Sequence, residues 1–163
     1  MIWMKGKFKR TDTALRIIKA SPSAIYQAFM DPKALVLWLP PEGMKGHIDV
    51  FEDQVGGTYR MTLTYVGSAH IAGKTSENID VVQGIFVELV EDKRIVQRIE
   101  FESEDPAFSG AMIMTWNLVT VTDGTEVTVV CENVPVGIRQ DEHEEGMGST
   151  LENLARFLEA KGS

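Results

Sequence analysis

Chemistry needs titratable or nucleophilic side chains at workable spacing, and this chain offers few. Its three histidines are His47, His70 and His143, and its one cysteine is Cys131. No histidine stands at metal-ligand spacing from another or from Cys131, so no metal and no cofactor are expected. His143, in the run DEHEE, could join Asp141, Glu144 or Glu145 as an acid–base group or a metal ligand. The stronger reading is structural: carboxylates at the start of a helix complement its dipole and cap its free N–H groups. Cys131 alternates in phase with Val127 and Val129, which puts it on an apolar strand face, where a thiol packs as a small hydrophobe. GMGST is not a nucleophile elbow, and Gly56-Gly57 is too short for a phosphate loop and reads as a turn. An enzyme would have only Glu88, Glu100, Arg60, Arg98 and His143 to work with. No catalytic residue is assigned, and an enzyme is not the favoured reading. Arg60, Arg98 and Glu100 are expected on the surface, though one turned inward would orient the polar end of a ligand.

Methionine and tryptophan are more telling. Met61, Met112 and Met114 fall on strand-like segments, with Trp116 in phase with the last two. Met147 falls on a helix, and Trp38 and Met44 flank a PPEG turn. Thioethers fill irregular gaps and adapt to varied ligands. Alternate strand residues share a face. Tyr59, Met61, Leu63, Met112, Met114 and Trp116 are therefore expected to face a closing helix around Met147 and Leu151, with Trp38, Met44 and Phe108 near the mouth of the space between. Gly146 and Gly148 would thin the helix wall there. The competing reading of the same residues is ordinary core.

The elements that must position these side chains are legible from period and turn residues. Thr13 to Ala20 reads as a strand. Ser21-Pro22 and Asp31-Pro32 each start a short helix, the first with Ala24, Ile25, Ala28 and Phe29 as its apolar face, the second running from Lys33 to Leu39. The period then switches to two. Strands are expected at His47 to Gln54 and Thr58 to Val66, followed by a long polar loop from Gly67 to Asp80. Val81 to Glu91 and Arg94 to Glu102 form a hairpin over Asp92-Lys93. After an acidic loop from Ser103 to Gly110, Ala111 to Thr122 and Thr125 to Asn133 form another over Asp123-Gly124. The chain closes on an amphipathic helix, Glu142 to Ala160, with Met147, Leu151, Leu154, Phe157 and Leu158 in its stripe and Asp141 with Glu144 as a capping box.

Composition narrows the partners. The chain has 163 residues and a net charge of -8, which suits one domain and disfavours nucleic acid. Lys5, Lys7, Lys9 and Arg10 read as a solvated tail over residues 1–10, ahead of a domain at 11–163. No apolar run reaches the roughly 18 residues of a membrane span, so no membrane is expected. MIWMKGKFKR has no apolar stretch after its charges and is not a secretory signal. The lone cysteine is compatible with a reducing compartment, so the cytoplasm is the expected address.

The order of strand, two short helices, an antiparallel run and one long helix resembles the helix-grip fold of the START and Bet v 1-like superfamily. WLPPEGM (Trp38 to Met44), VGGTYRM (Val55 to Met61) and GIFVELVEDKRIV (Gly84 to Val96) resemble the activator-of-Hsp90-ATPase homologue family. DPAFSGAMIMTW (Asp105 to Trp116) and ENVPVGIRQDEHEEGMGSTLENLARFLE (Glu132 to Glu159) do so too. The resemblance spans Ala14 to Ala160. It implies an α+β fold in which a curved antiparallel sheet of about seven strands grips the C-terminal helix around a cavity for a small apolar or amphipathic molecule. Superfamily members include lipid carriers, hormone receptors, polyketide cyclases and co-chaperone domains. A cyclase, dehydratase or hydrolase in the same cavity, and a co-chaperone-like or homodimeric interaction module, are the other readings. The separate N-terminal domain that makes much of the chaperone contact in the eukaryotic co-chaperone has no counterpart here, so Hsp90 is not an expected partner.

Overall fold

A computed structural model describes residues 10–66 and 78–161. The first nine residues of the tail expected over 1–10, His70 and most of the loop expected from Gly67 to Asp80 lie outside the described residues. Seven strands form one antiparallel sheet: β1 (Arg10–Ile18), β2 (Met44–Phe51), β3 (Thr58–Tyr65), β4 (Ile79–Val90), β5 (Arg94–Phe101), β6 (Met112–Val121) and β7 (Gly124–Val134). Their order in space is β1-β7-β6-β5-β4-β3-β2, so consecutive strands pair except where β1 closes on β7. The β6–β7 turn needs its glycine, because Gly124 has φ 142° and a Cβ there would stand 2.1 Å from the Ile18 carbonyl oxygen.

Helices α1 (Pro22–Met30) and α2 (Pro32–Trp38) start where the cap signals place them. Ser21 Oγ accepts the Ala24 N–H at 3.1 Å, and the Asp31 carboxylate accepts the Lys33 N–H at 3.0 Å. The acidic loop holds a short 3-10 turn, Pro106–Phe108, whose Asp105 carboxylate accepts the Ala107 N–H at 2.9 Å.

The closing helix α3 (Gln140–Lys161) starts before Asp141, and the expected capping box does not form. Asp141 lies inside the helix and is taken by a nearer partner, Arg139, at 2.8 Å. Glu144 reaches away from its own helix and accepts the Thr13 N–H at 3.0 Å, while Glu159 accepts the Lys19 N–H at 3.2 Å. These two carboxylates fasten α3 along β1, an edge strand whose outward N–H groups need partners. Arg10, expected in the tail, instead opens β1 opposite Val134.

Register arranges the concave face in rows across the strands. One row runs Tyr59, Gly84, Ile99, Met112. The next runs Phe86, Gln97, Met114, Cys131, Asp12, and a third runs Ile95, Trp116, Val129, Ala14. Met147, Leu151, Leu154, Ala155 and Leu158 of α3 are buried against this side. No helix among the described residues is long and apolar enough to cross a membrane.

Candidate functional site between the concave sheet and the closing helix

Part of the interior is solid. Phe29, Trp38 and Trp116 stack edge to face, with ring centroids 4.8 Å apart for Phe29–Trp38 and 4.5 Å for Phe29–Trp116. Trp38, expected near a mouth, is fully buried: α2 turns its indole inward, where the N–H donates to the Ala28 carbonyl at 3.1 Å. A donor satisfied inside the core and two aromatic neighbours hold it there.

Elsewhere burial is uneven. Tyr59, Met61, Met112, Trp116, Met147 and Leu151 are buried as core. Leu63 and Met114 point to the same concave side but are only half-buried. Met114 is the sharper case, because its strand neighbours in phase, Met112 and Trp116, are 3% and 1% exposed. Met114 is the third residue of β6, so the exposure lies near the start of that strand. Met44, at the end of β2 opposite Tyr65, is half-buried too. So is Phe108, whose ring lies against Gly137, where any Cβ would come within 2.8 Å of it.

The loop after α2 is pinned to α3. Thr150 and Asn153 of α3 donate to the carbonyls of Leu39 and Pro40 at 2.9 and 3.0 Å, and Ser149 Oγ accepts the Glu42 N–H at 3.0 Å. Pro40 lies so close over Gly46 that a Cβ there would meet it at 2.8 Å. The helical glycines are not both where a thin wall was expected. Gly146 faces Pro41, 3.9 Å from where its Cβ would be. Gly148 stands one turn after Glu144 and two before Ala155, which turns it toward β1, and a Cβ there would meet nothing within 4 Å.

The polar groups on this face are few and mostly committed. Asp12, fully buried, accepts Arg10 Nε at 2.6 Å and meets His143 Nδ1 at 2.7 Å, and Arg10 also donates to the Ile138 carbonyl. Burial pushes the Asp12 carboxyl up, but the hydrogen bonds from Arg10 and His143 outweigh it and hold the group below its ordinary range. His143 therefore works with Asp12 rather than with Asp141, Glu144 or Glu145. Tyr65 donates to Asp80 at 3.1 Å, and burial first, then that carboxylate, raises its pKa. Burial pushes the Cys131 thiol up to about 12, and Met147 sulfur lies 3.5 Å from it. Such a thiol stays protonated and is a poor nucleophile. Gln97 is also inside, accepting the Trp116 indole N–H at 3.1 Å. Among the described residues, no three His, Cys, Asp or Glu side chains are grouped to hold a metal ion.

Arg60, Arg98 and Glu100 lie on the outer face, Arg60 paired with Glu102 and Asp49 at 2.9 and 3.0 Å. With Val50 and Ile85 they line a shallow outer groove of about 210 Å³. Glu88 pairs with Arg94. A second hollow, about 430 Å³, lies between α1, α2 and the end of α3. Asp12 and Gln97 were missed from sequence, and only Gln97 carries a signal, as a polar residue in phase with Ile95, Ile99 and Phe101.

A curved antiparallel sheet closed on a long C-terminal helix, with two short helices after the first strand, is the helix-grip fold. The model of one family within it, described as activator of Hsp90 ATPase homolog 1-like protein, matches residues 19–159, and the chain belongs to that family. The crystal structure of protein CV1439 from Chromobacterium violaceum is 30% identical with a TM-score of 0.80, covering 93% of this chain and 99% of that one. A protein from Rhodobacter sphaeroides (20% identity, TM-score 0.70, covering 92% and 93%) shares the fold. So does one from Arthrobacter aurescens (16%, 0.75, 92% and 86%). No curated protein matches the chain.

Proposed function

We propose that the protein binds a small apolar or amphipathic molecule between the concave sheet face and the N-terminal half of α3. The observation that carries this is the accessibility of Met114, an inward residue flanked in phase by two buried ones. Met61, Met112, Met147 and Leu151 supply an adaptable apolar surround, Leu63 and Met114 the contact surface, and Met44 and Phe108 the rim. The buried Trp38 and Trp116 act as the wall that limits the space. No chemical step is assigned, because the thiol is protonated and His143 is engaged by Asp12. A neutral apolar dye such as Nile red should bind with low-micromolar affinity and quench tryptophan emission through Trp116. Met114→Trp, which fills the space from the sheet side, should abolish binding while thermal unfolding stays cooperative. Equal binding to that variant would place the dye elsewhere and sink the reading.

A further inference from the structure

Gln97 is 5% exposed and sits in phase with Ile95 and Ile99, where an apolar side chain would be the ordinary occupant. Its orientation follows from its neighbour. An indole nitrogen can only donate, so the Trp116 N–H at 3.1 Å must face the amide oxygen, which turns the NH2 group the other way. That NH2 has no acceptor among the described residues. It is not sealed off either, since the one sealed, unpartnered side-chain polar atom among them is Asp92 Oδ1. The Gln97 nitrogen is therefore not closed off, and it lies beside the half-buried Met114 that faces it across β5 and β6.

A second donor sits one row away. Tyr59 lies flat across Gly84, where a Cβ would strike its ring at 2.2 Å, and its ring centroid is 5.5 Å from that of Phe86, the residue opposite Gln97. The Tyr59 hydroxyl likewise has no partner among the described residues and is not sealed. Burial raises its pKa, which keeps it a donor. The charges on the same face are the Asp12 and Asp80 carboxylates, and the cation beside Asp12 is engaged by it. Two neutral donors in an apolar surround with carboxylates near suit a neutral acceptor better than an anion.

We propose that Gln97, held in place by Trp116 and assisted by Tyr59, is the donor that anchors a neutral carbonyl oxygen of the bound molecule. The ligand is then an amphipathic compound with its carbonyl end buried and its apolar body against Met114 and Met147. This rests on the cavity reading above. Gln97 positions the ligand, and no bond is made or broken.

The test uses two probes of the same shape, 2-acetonaphthone and 2-isopropylnaphthalene, titrated against tryptophan emission. Gln97→Met should weaken the ketone roughly fivefold, the worth of one hydrogen bond, and leave the hydrocarbon unchanged. In the unmodified protein, the Gln97 side-chain amide proton signals should move downfield with the ketone and not with the hydrocarbon, a readout that needs no variant. If the hydrocarbon binds and the ketone gains nothing from Gln97 by either measure, the anchor is wrong and the cavity stands. If neither probe binds the unmodified protein, the cavity reading fails and the anchor with it.

Discussion

Asp12 ties three segments together: β1 that carries it, the loop before α3 through Arg10 and Ile138, and α3 through His143. Its carboxyl is held below its ordinary range in the fold, so its contribution is complete above the unfolded value of about 4 and is lost as pH falls through the lower folded value. Asp12→Asn breaks a buried ion pair and should cost about 3 kcal/mol in urea unfolding at pH 7. The gap between variant and parent should narrow as pH drops from about 5 toward 3, the side on which the native carboxylate protonates. A gap that is constant with pH would mean Asp12 matters for packing alone. Gly84→Ala tests the other close approach. A Cβ 2.2 Å from the Tyr59 ring must displace it, and about 1–3 kcal/mol of stability should go. At this scale the sequence was partly legible. Cys131 was placed on the apolar face by alternation alone, and it is fully buried. Asp12 was hidden because the partners that make its burial tolerable come from a residue assigned to the tail and from a helix far along the chain.

Periodicity read the elements well because period is a local property. The stripe of Leu151, Leu154 and Leu158 is buried as its spacing requires, and Leu154→Ala should cost ~2–5 kcal/mol. A loss below about half a kcal/mol would be out of keeping with a buried leucine. The start of α3 was misread for a physical reason. A capping box is one of several ways to use an acidic residue at a helix start, and here Arg139 captures Asp141 while the β1 edge captures Glu144. The choice depends on partners that sequence spacing does not reveal. Gly148 offers an element-scale test with the opposite sign. It lies in mid-helix with open space beside it, so Gly148→Ala should stabilise the protein by up to about 1 kcal/mol, measured as a higher melting temperature. Destabilisation would show that the approach of α3 to β1 is closer than described.

For the whole molecule, the fold was legible and the packing of the interior was not. Strand positions, helix positions and family follow from local pattern and resemblance, whereas the pairing of β1 with β7 is long-range. The interior depends on where large side chains meet. Phe29 from α1 joins Trp38 and Trp116 to fill part of the concavity, whereas Leu63 and Met114 are only partly buried against the same core. Nothing in the spacing of Trp38 distinguishes a rim residue from a core one. The most direct test is methyl NMR of protein labelled at methionine and isoleucine, titrated with Nile red. Binding between sheet and helix should shift the methyl signals of Met114 and Met147 together and leave Ile85, in the outer groove, unmoved. Shifts at Ile85 with Met114 and Met147 unchanged would put the ligand on the outside of the sheet and contradict the account.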